Sequence, residues 1–320
     1  MNPNATNKLL QNKPQLMLAP MQGLTNRVLR QWFIDHVAPD VVFTEFIRVQ
    51  TRSRKRVTRS DLAEVNSHGG QAPLVAQMIG HGEEPLCEAA EGLQLAGAQH
   101  LNLNLGCPYG RMLSGATGGE LLREPLKLAA LLRKLRAQIK VDFSIKCRAG
   151  YDDPRQIFEL LTIFVDCGVD WLILHPRTVE QRYGGAADHR LTAEVADICP
   201  LPLIANGDIN DVATGLKLLK IPGLAGLMLG RGALADPFLF QRLREGNEDS
   251  PTATERSTQL QAYIGDLIPG YLEQFCGERQ ALMKLKDLLN FIPDASRQRL
   301  LGKMKRAQSL EKFSGLLTGL

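Results

Sequence analysis

Aromatic residues make up only 6% of the chain, and the charges nearly cancel: 38 Lys and Arg against 34 Asp and Glu over 320 residues. A net charge of +4 is too small to name a nucleic-acid partner, so where the charges lie matters more than their sum. No run of about 18 apolar residues occurs, which excludes a helical membrane span. The polar stretch from Met1 to Gln15 has no apolar segment of the kind a secretion signal needs. Six cysteines are present, at positions 87, 107, 147, 167, 199 and 276, but none forms Cys-x-x-Cys. A disulfide framework and an iron–sulfur site are therefore not expected, and the reading is a reduced, cytoplasmic protein.

What is present is a chain rich in short apolar runs. With 44% apolar and 22% charged residues it is neither disordered nor collagenous, and 29 glycines fall largely after those runs, where strand-to-helix turns need them. The strand candidates are Leu16–Ala19, Val41–Thr44, Leu74–Met78, His100–Asn104, Phe143–Lys146, Trp171–His175, Leu203–Asn206 and Gly226–Leu229. Amphipathic stretches such as Pro85–Leu95, Leu126–Leu135, Arg155–Cys167 and Val212–Leu219 lie between them. Near-continuous apolar strands imply burial on both faces, hence a parallel sheet with helical crossovers. Eight such units over about 240 residues predict an α/β fold, a (β/α)8 TIM barrel spanning 16–245 after a polar tail of 1–15. The polar segment Glu245–Arg256 reads as a linker, and Leu260–Phe275, Arg279–Phe291 and Ala295–Leu317 read as a small all-helical C-terminal domain over 256–320, leaning on the barrel.

In a barrel of this kind, chemistry collects at the C-terminal ends of the strands. There the sequence places Pro20-Met21-Gln22-Gly23, Gln77, Asn102, Asn104-Leu105-Gly106-Cys107-Pro108, Lys146 with Arg148, His175 with Arg177, Asn206-Gly207-Asp208 and Gly230-Arg231-Gly232. The last two turns follow strands seven and eight, where glycines let backbone N–H groups approach a phosphate and Arg231 can close on it; alternatively the glycines only make turns. Lys146 is either a salt-bridged lysine or a fixed cation beside an electron-rich ring, and His175 either a satisfied core histidine or a donor to a ligand. Cys107 sits in a loop between glycine and proline, a turn that aims the thiol outward, and an ordinary thiol with a pKa near ~8.5 can serve as a general acid at neutral pH. No second Cys or His lies at ligand spacing, so no metal is expected. Two basic segments complete the inventory. Arg48, Arg52, Arg54, Lys55, Arg56 and Arg59 form one, and from Arg279 to Lys312 nine basic residues face three acidic ones, a net of +6. Together they suggest a phosphate-backbone partner.

In this order, Ala19-Pro20-Met21-x-Gly23, Gln77, Asn104-Leu105-Gly106-Cys107-Pro108, Lys146, His175-x-Arg177-Thr178, Asn206-Gly207-Asp208 and Gly230-Arg231-Gly232-Ala233 resemble the pattern of the tRNA-dihydrouridine synthases over about 16–240. Thr44-Glu45-Phe46-Ile47-Arg48-Val49 is similar to the bacterial subgroup that modifies uridine 16 of the D-loop. The resemblance implies FMN across the barrel mouth and NADPH as its reductant. Pro20, Met21 and Gln22 would flank the isoalloxazine, Gln77 and Lys146 would bond its pyrimidine edge, and His175 would lie near it. Asn206, Gly207, Asp208, Gly230 and Arg231 would hold its phosphate. Cys107 would protonate C5 of uracil opposite a hydride delivered to C6, with Asn104, Arg177 and Tyr183 against the nucleotide, and the helical domain would bind tRNA. The expected state is a cytoplasmic monomer. The chain departs from the family pattern at Pro176 within His-Gly-Arg-Thr, at Asn26 where Asp is common, and at Tyr109-Gly110-Arg111, where Arg111 stands in for a frequent lysine. The other enzyme reading is an FMN barrel acting on a free pyrimidine such as dihydroorotate, which has no use for a tail of net +6.

Overall fold

The computed structural model describes residues 9, 10, 13–66, 68, 71–109, 111, 112 and 115–320, with 111, 112, 115 and 116 described by their backbone only. Most of the N-terminal tail, Gly110 and the Arg111 side chain therefore lie outside the described residues. Eight parallel strands form the barrel: β1 Gln15–Leu18, β2 Val42–Phe43, β3 Leu74–Ile79, β4 His100–Leu105, β5 Asp142–Arg148, β6 Trp171–His175, β7 Leu203–Asn206 and β8 Leu224–Leu229. Each pairs with its sequence neighbour through most of the ring, β8 returns to pair with β1, and a single parallel bridge of Met17 with Val41 joins β1 to β2. This is the predicted barrel, each strand within a few residues of its expected place. A short strand, Ile47–Arg48, adds to β3, and a two-stranded hairpin, Arg111–Met112 with Gly115–Ala116, follows β4.

Between the strands run α1 Arg27–His36, α2 Arg59–Asn66, α3 Glu83–Leu95, α4 Pro125–Gln138, α5 Ile157–Asp166, α6 His189–Ile198, α7 Val212–Leu219, α8 Arg231–Ala235 and α9 Leu239–Glu245. Their starts follow capping chemistry. The Asn26 side chain accepts from the Leu29 N–H, and Asp211 does the same for Thr214. In α1 the buried Leu29, Trp32 and Phe33 recur at helical spacing, so one stripe of the helix faces inward.

Strand alternation sorts the side chains into two sets. Phe143, Ile145 and Cys147 of β5 and Leu101, Leu103 and Leu105 of β4 face the surrounding helices in one apolar cluster. The opposite faces fill the barrel from below. Met17, Val41, Phe43, Val75, Trp171, Ile173, Ile204 and Met228, with Leu9, make an apolar plug. Above the plug on one side the inward positions turn polar: Gln77, Asn102 and Ser144 stand side by side in register, with Asn104 beside Lys146 one level higher.

Beyond α9 come α10 Ala253–Gln274, α11 Glu278–Leu289, α12 Gln298–Arg306 and α13 Leu310–Leu317. A capping box, Thr252 with Glu255, starts α10 within the expected linker, so the helix begins earlier than its apolar periodicity indicated. The predicted third helix is two helices, broken at Ala307–Ser309 where Ser309 caps α13 by accepting from Lys312. These helices share one apolar cluster with the barrel: Tyr263, Ile264, Leu267, Leu285 and Phe313 pack with Leu16, Leu18, Trp32, Phe33 and Phe240.

Candidate functional site

A cavity of about 570 Å³ opens at the C-terminal end of the barrel. Thirteen of the fifteen residues expected at the site line it: Pro20, Met21 and Gln22 from the β1–α1 turn, Asn104 and Cys107 after β4, Lys146, His175, Tyr183, Asn206, Gly207, Asp208, Gly230 and Arg231. Lys146, Arg148 and His175 arise from inward positions of β5 and β6, with Arg148 opposite His175 in register.

The two remaining residues lie behind the wall. Gln77 is fully buried beneath the cavity, where it donates to Asn102 Oδ1 at 2.7 Å and accepts from Asn104 Nδ2 at 2.8 Å. Asn102 in turn donates to Ser144 Oγ at 2.8 Å, so a chain of side-chain bonds crosses β3, β4 and β5. Its upper end holds the cysteine loop, because Asn104 Oδ1 accepts both the Gly106 and Cys107 N–H groups at 2.9 Å. Arg177 is also buried: its guanidinium meets the Asp208 carboxylate through two nitrogens and donates to the Gly185 carbonyl. Asp208, which adopts a left-handed backbone (φ 49), accepts from Arg231 as well at 2.8 Å. Burial raises this carboxyl, but the two arginines that share it, with the Ala187 N–H, hold it below the usual carboxylate range. The β7 and β8 turns are thus tied together. They also touch at Gly232, where a Cβ would fall 2.2 Å from the Ile209 carbonyl oxygen.

Three groups face the cavity with distinct electrostatics. Lys146 has no hydrogen bond or ion-pair partner among the described residues. Burial first, then the nearby Arg148, brings its ammonium down from 10.5 to about 8. Burial, with Lys146, Arg148 and Arg177 close by, lowers His175 to about 2, so the imidazole is neutral at physiological pH. The Cys107 thiol is partly exposed at the cavity wall, while Cys147, on the outward face of β5, is pushed up to about 12 by burial.

Further residues complete the site, some of them named from the sequence and some not. Arg148 is 2% exposed, donates to the Gly106 carbonyl at 2.8 Å and to the Thr178 carbonyl at 2.9 Å, and so braces the cysteine loop. Its place two residues beyond Lys146, on the same strand face, was the available signal. Gly118 and Gly119 pack against Cys107: Gly118 has φ 58 and a Cβ there would come within 3.0 Å of the cysteine Cβ. Tyr183 is half exposed between two guanidiniums, Arg148 at 5.4 Å and Arg231 at 5.3 Å from the ring centroid. Phe46 and Phe291 complete the rim, the latter from the end of α11, a position no local pattern could indicate.

The basic segments divide in the same way. Arg56 is consumed by Glu88 of α3 and by three carbonyl oxygens of its own loop, and Lys284, Lys286 and Arg297 bond to backbone carbonyls. Arg52, Arg54, Lys55 and Arg59, with Arg279, Arg299, Lys303, Lys305, Arg306 and Lys312, are exposed at the surface, as is Arg48, which has a contact of its own. Among the described residues no helix is long and apolar enough to cross a membrane.

Comparison with known proteins narrows this geometry to one family. Among solved structures, a point mutant of morphinone reductase in complex with tetrahydroNAD superposes with a TM-score of 0.50 at 13% identity over 73% of this chain and 87% of that one. A 2-naphthoyl-CoA reductase complex gives 0.55 at 10% identity over 73% and 50%. At such identities the likeness supports the barrel fold alone. In sequence, the tRNA-dihydrouridine(16) synthase of Cupriavidus necator is 32% identical over 75% of this chain and 77% of its own. That of Pseudomonas putida is 31% identical over 83% and 82%, and the probable tRNA-dihydrouridine synthase 1 of Synechocystis is 28% identical over 88% and 78%. The dihydrouridine synthase family model matches residues 17–314, barrel and helical region alike. With the cysteine loop, the lysine strand and the two glycine turns converging on one cavity inside that match, the chain belongs to the dihydrouridine synthase family.

Proposed function

We propose that this enzyme reduces a D-loop uridine of tRNA, uridine 16, to 5,6-dihydrouridine, using FMN and NADPH. The observation that carries the reading is the convergence on one cavity of the Cys107 thiol, the unpaired Lys146 ammonium and the paired turns at Gly207 and Gly230. These residues fit a flavin. Pro20, Met21 and Gln22 offer a wall for a flat ring, and Lys146 a cation for its pyrimidine edge. His175 is an uncharged neighbour, and the turns at Asn206-Gly207 and Gly230-Arg231 offer backbone N–H groups to its phosphate. Asp208 serves by orienting Arg177 and Arg231. The chemistry a flavin held there would supply, with NADPH as the reductant, is a hydride for C6 of the uracil ring.

The chain's own part is the proton and the position. Cys107 gives its proton to C5, which completes the addition of hydride and proton across the C5–C6 double bond and leaves a thiolate. Lys146 and Arg148 are both near enough to interact with the charge on that sulfur, so the thiolate forms beside two cations. The Asn104 and Arg148 bonds to the loop backbone hold the thiol in place, and Tyr183 offers a ring face to the base. The uridine must leave its stack to reach this depth, at a cost of a few kcal/mol. The eleven surface cations of the two basic segments meet that cost through the RNA backbone. Support for position 16 comes from the relatives bearing that number and from the Thr44–Val49 segment.

The test is incubation with NADPH, FMN and unmodified tRNA, followed by mapping of dihydrouridine by position. Product at 16 alone supports the full reading. Product elsewhere keeps the chemistry and discards the position, and none, with FMN held, favours a free pyrimidine as substrate. Cys107→Ala should retain FMN and lose at least about a hundredfold in rate, the contribution of a general acid; full activity in that variant overturns the role of Cys107.

A further inference from the structure

The turn that walls the cavity with Pro20, Met21 and Gln22 is gripped from behind at Gly23. Its N–H donates to the Glu45 carboxylate, and its carbonyl accepts from Lys284 Nζ at 3.0 Å. Glu45 belongs to the loop after β2, whereas Lys284 lies on α11, in the helical region. Gly23 has φ 80, so the turn depends on a backbone that other residues rarely adopt. Two more bonds join the same stretch to the end of α10: Asn26 Nδ2 to the Tyr271 hydroxyl at 3.4 Å, and the Val28 N–H to Gln274 Oε1 at 3.1 Å. On the cavity side, Gln22 Oε1 accepts from the Phe46 N–H at 3.1 Å, next to Glu45. Burial raises the Glu45 carboxyl, opposed by the Gly23 N–H and by Arg30 and Lys284. Lys284 has Asp287 at 4.0 Å and the Phe275 ring at 5.9 Å, both looser contacts than its bond to Gly23.

We infer that Lys284 is a positioning residue for the cofactor: through Gly23, and against Glu45, it sets the Met21–Gln22 wall of the cavity, so that the helical region shapes the flavin site from behind this wall as well as at the Phe291 rim. The inference rests on the flavin reading above for its consequence, though not for the grip itself.

Lys284→Met keeps the aliphatic stem and removes the donor. Peptide-level hydrogen exchange of the cofactor-free protein should show the segment from Met21 to Thr25 exchanging about tenfold faster or more, as expected for loss of a hydrogen bond to a charged group. FMN affinity, measured by fluorescence quenching, should fall about tenfold with a shifted flavin absorption band, and Lys284→Arg should restore both. Glu45→Gln, which neutralises the opposing group, should accelerate exchange in the same segment, and thermal melting of each variant excludes global loss of fold. Unchanged exchange in both Lys284→Met and Glu45→Gln overturns the grip. Unchanged FMN affinity and spectrum with weakened tRNA binding overturns the positioning role and makes Lys284 an RNA contact. If the wild-type protein takes no FMN at all, the flavin reading fails, and the exchange measurement still decides whether Lys284 holds the turn.

Discussion

Lys146 shows how one residue's environment becomes a measurable property. Its folded-state pKa, about 8, lies below the ordinary 10.5, so the charged form is disfavoured by folding. Between those values the unfolded chain binds the proton and the folded chain does not, so this residue's contribution to stability rises with pH from about 8 to 10.5. Below pH 8 the folded protein carries the full cost, on the order of 3 kcal/mol. In the absence of cofactor, Lys146→Met should therefore melt higher than wild type at pH 7, and the gap should close as the pH approaches 10.5. A gap that stays constant across that range would show that the charge is not the cause. The identity of the cavity cation was legible in the sequence, because a lysine ending an apolar run leaves few places for its charge. Its lack of a partner was not, since partners come from other strands. Arg177 makes the same point: it stands two residues from His175 in the chain, but its guanidinium is paired with Asp208, 31 positions away.

At the scale of elements, the cysteine loop depends on packing between segments that share no motif. A Cβ on Gly119 would lie 2.5 Å from Val179 Cγ2, in the loop after β6, and 3.1 Å from the Cys107 carbonyl oxygen. Gly119→Ala should cost about 1–3 kcal/mol by overpacking and raise the alkylation rate of Cys107, read peptide by peptide because Cys276 is exposed. Val179→Ala in the same chain should recover part of that loss, because the closest clash is with its side chain; purely additive effects would refute the contact. Strand alternation made most of this region readable, since Gln77, Asn102, Asn104, Ser144 and Lys146 fall on inward positions by count alone. What the count could not supply is that Gln77 and Asn102 bond to each other and upward to Asn104, making Gln77 a support beneath the cavity as well as a candidate ligand. The break at Ala307–Ser309 was missed for a similar reason: apolar periodicity continues across it, and only the Ser309 cap marks the new helix.

For the whole molecule, the relevant fact is a core shared between barrel and helices. Tyr263 and Tyr271 are both essentially buried, and Trp32 packs against Tyr263 with centroids 4.5 Å apart. Full-length protein should unfold in one transition followed by fluorescence and by circular dichroism together. A chain ending at Glu245 should expose Trp32, Phe33 and Phe240, bind a hydrophobic dye and precipitate. A soluble truncated barrel with an unchanged melting point would show the two regions to be independent.

The sequence by itself determined the eight-strand rhythm, the inward or outward sense of each strand residue and the order of the glycine turns. All of these follow from backbone geometry, which acts over a few residues at a time. The tertiary structure alone decided which side chains are partners: Asp208 between two arginines, Asn104 under the cysteine loop, Phe291 at the rim, Lys284 behind the Pro20–Gly23 turn. Hydrogen bonds and ion pairs act over about 3–4 Å, and residues far apart in the chain come within that distance only when the barrel closes and the C-terminal helices pack onto it.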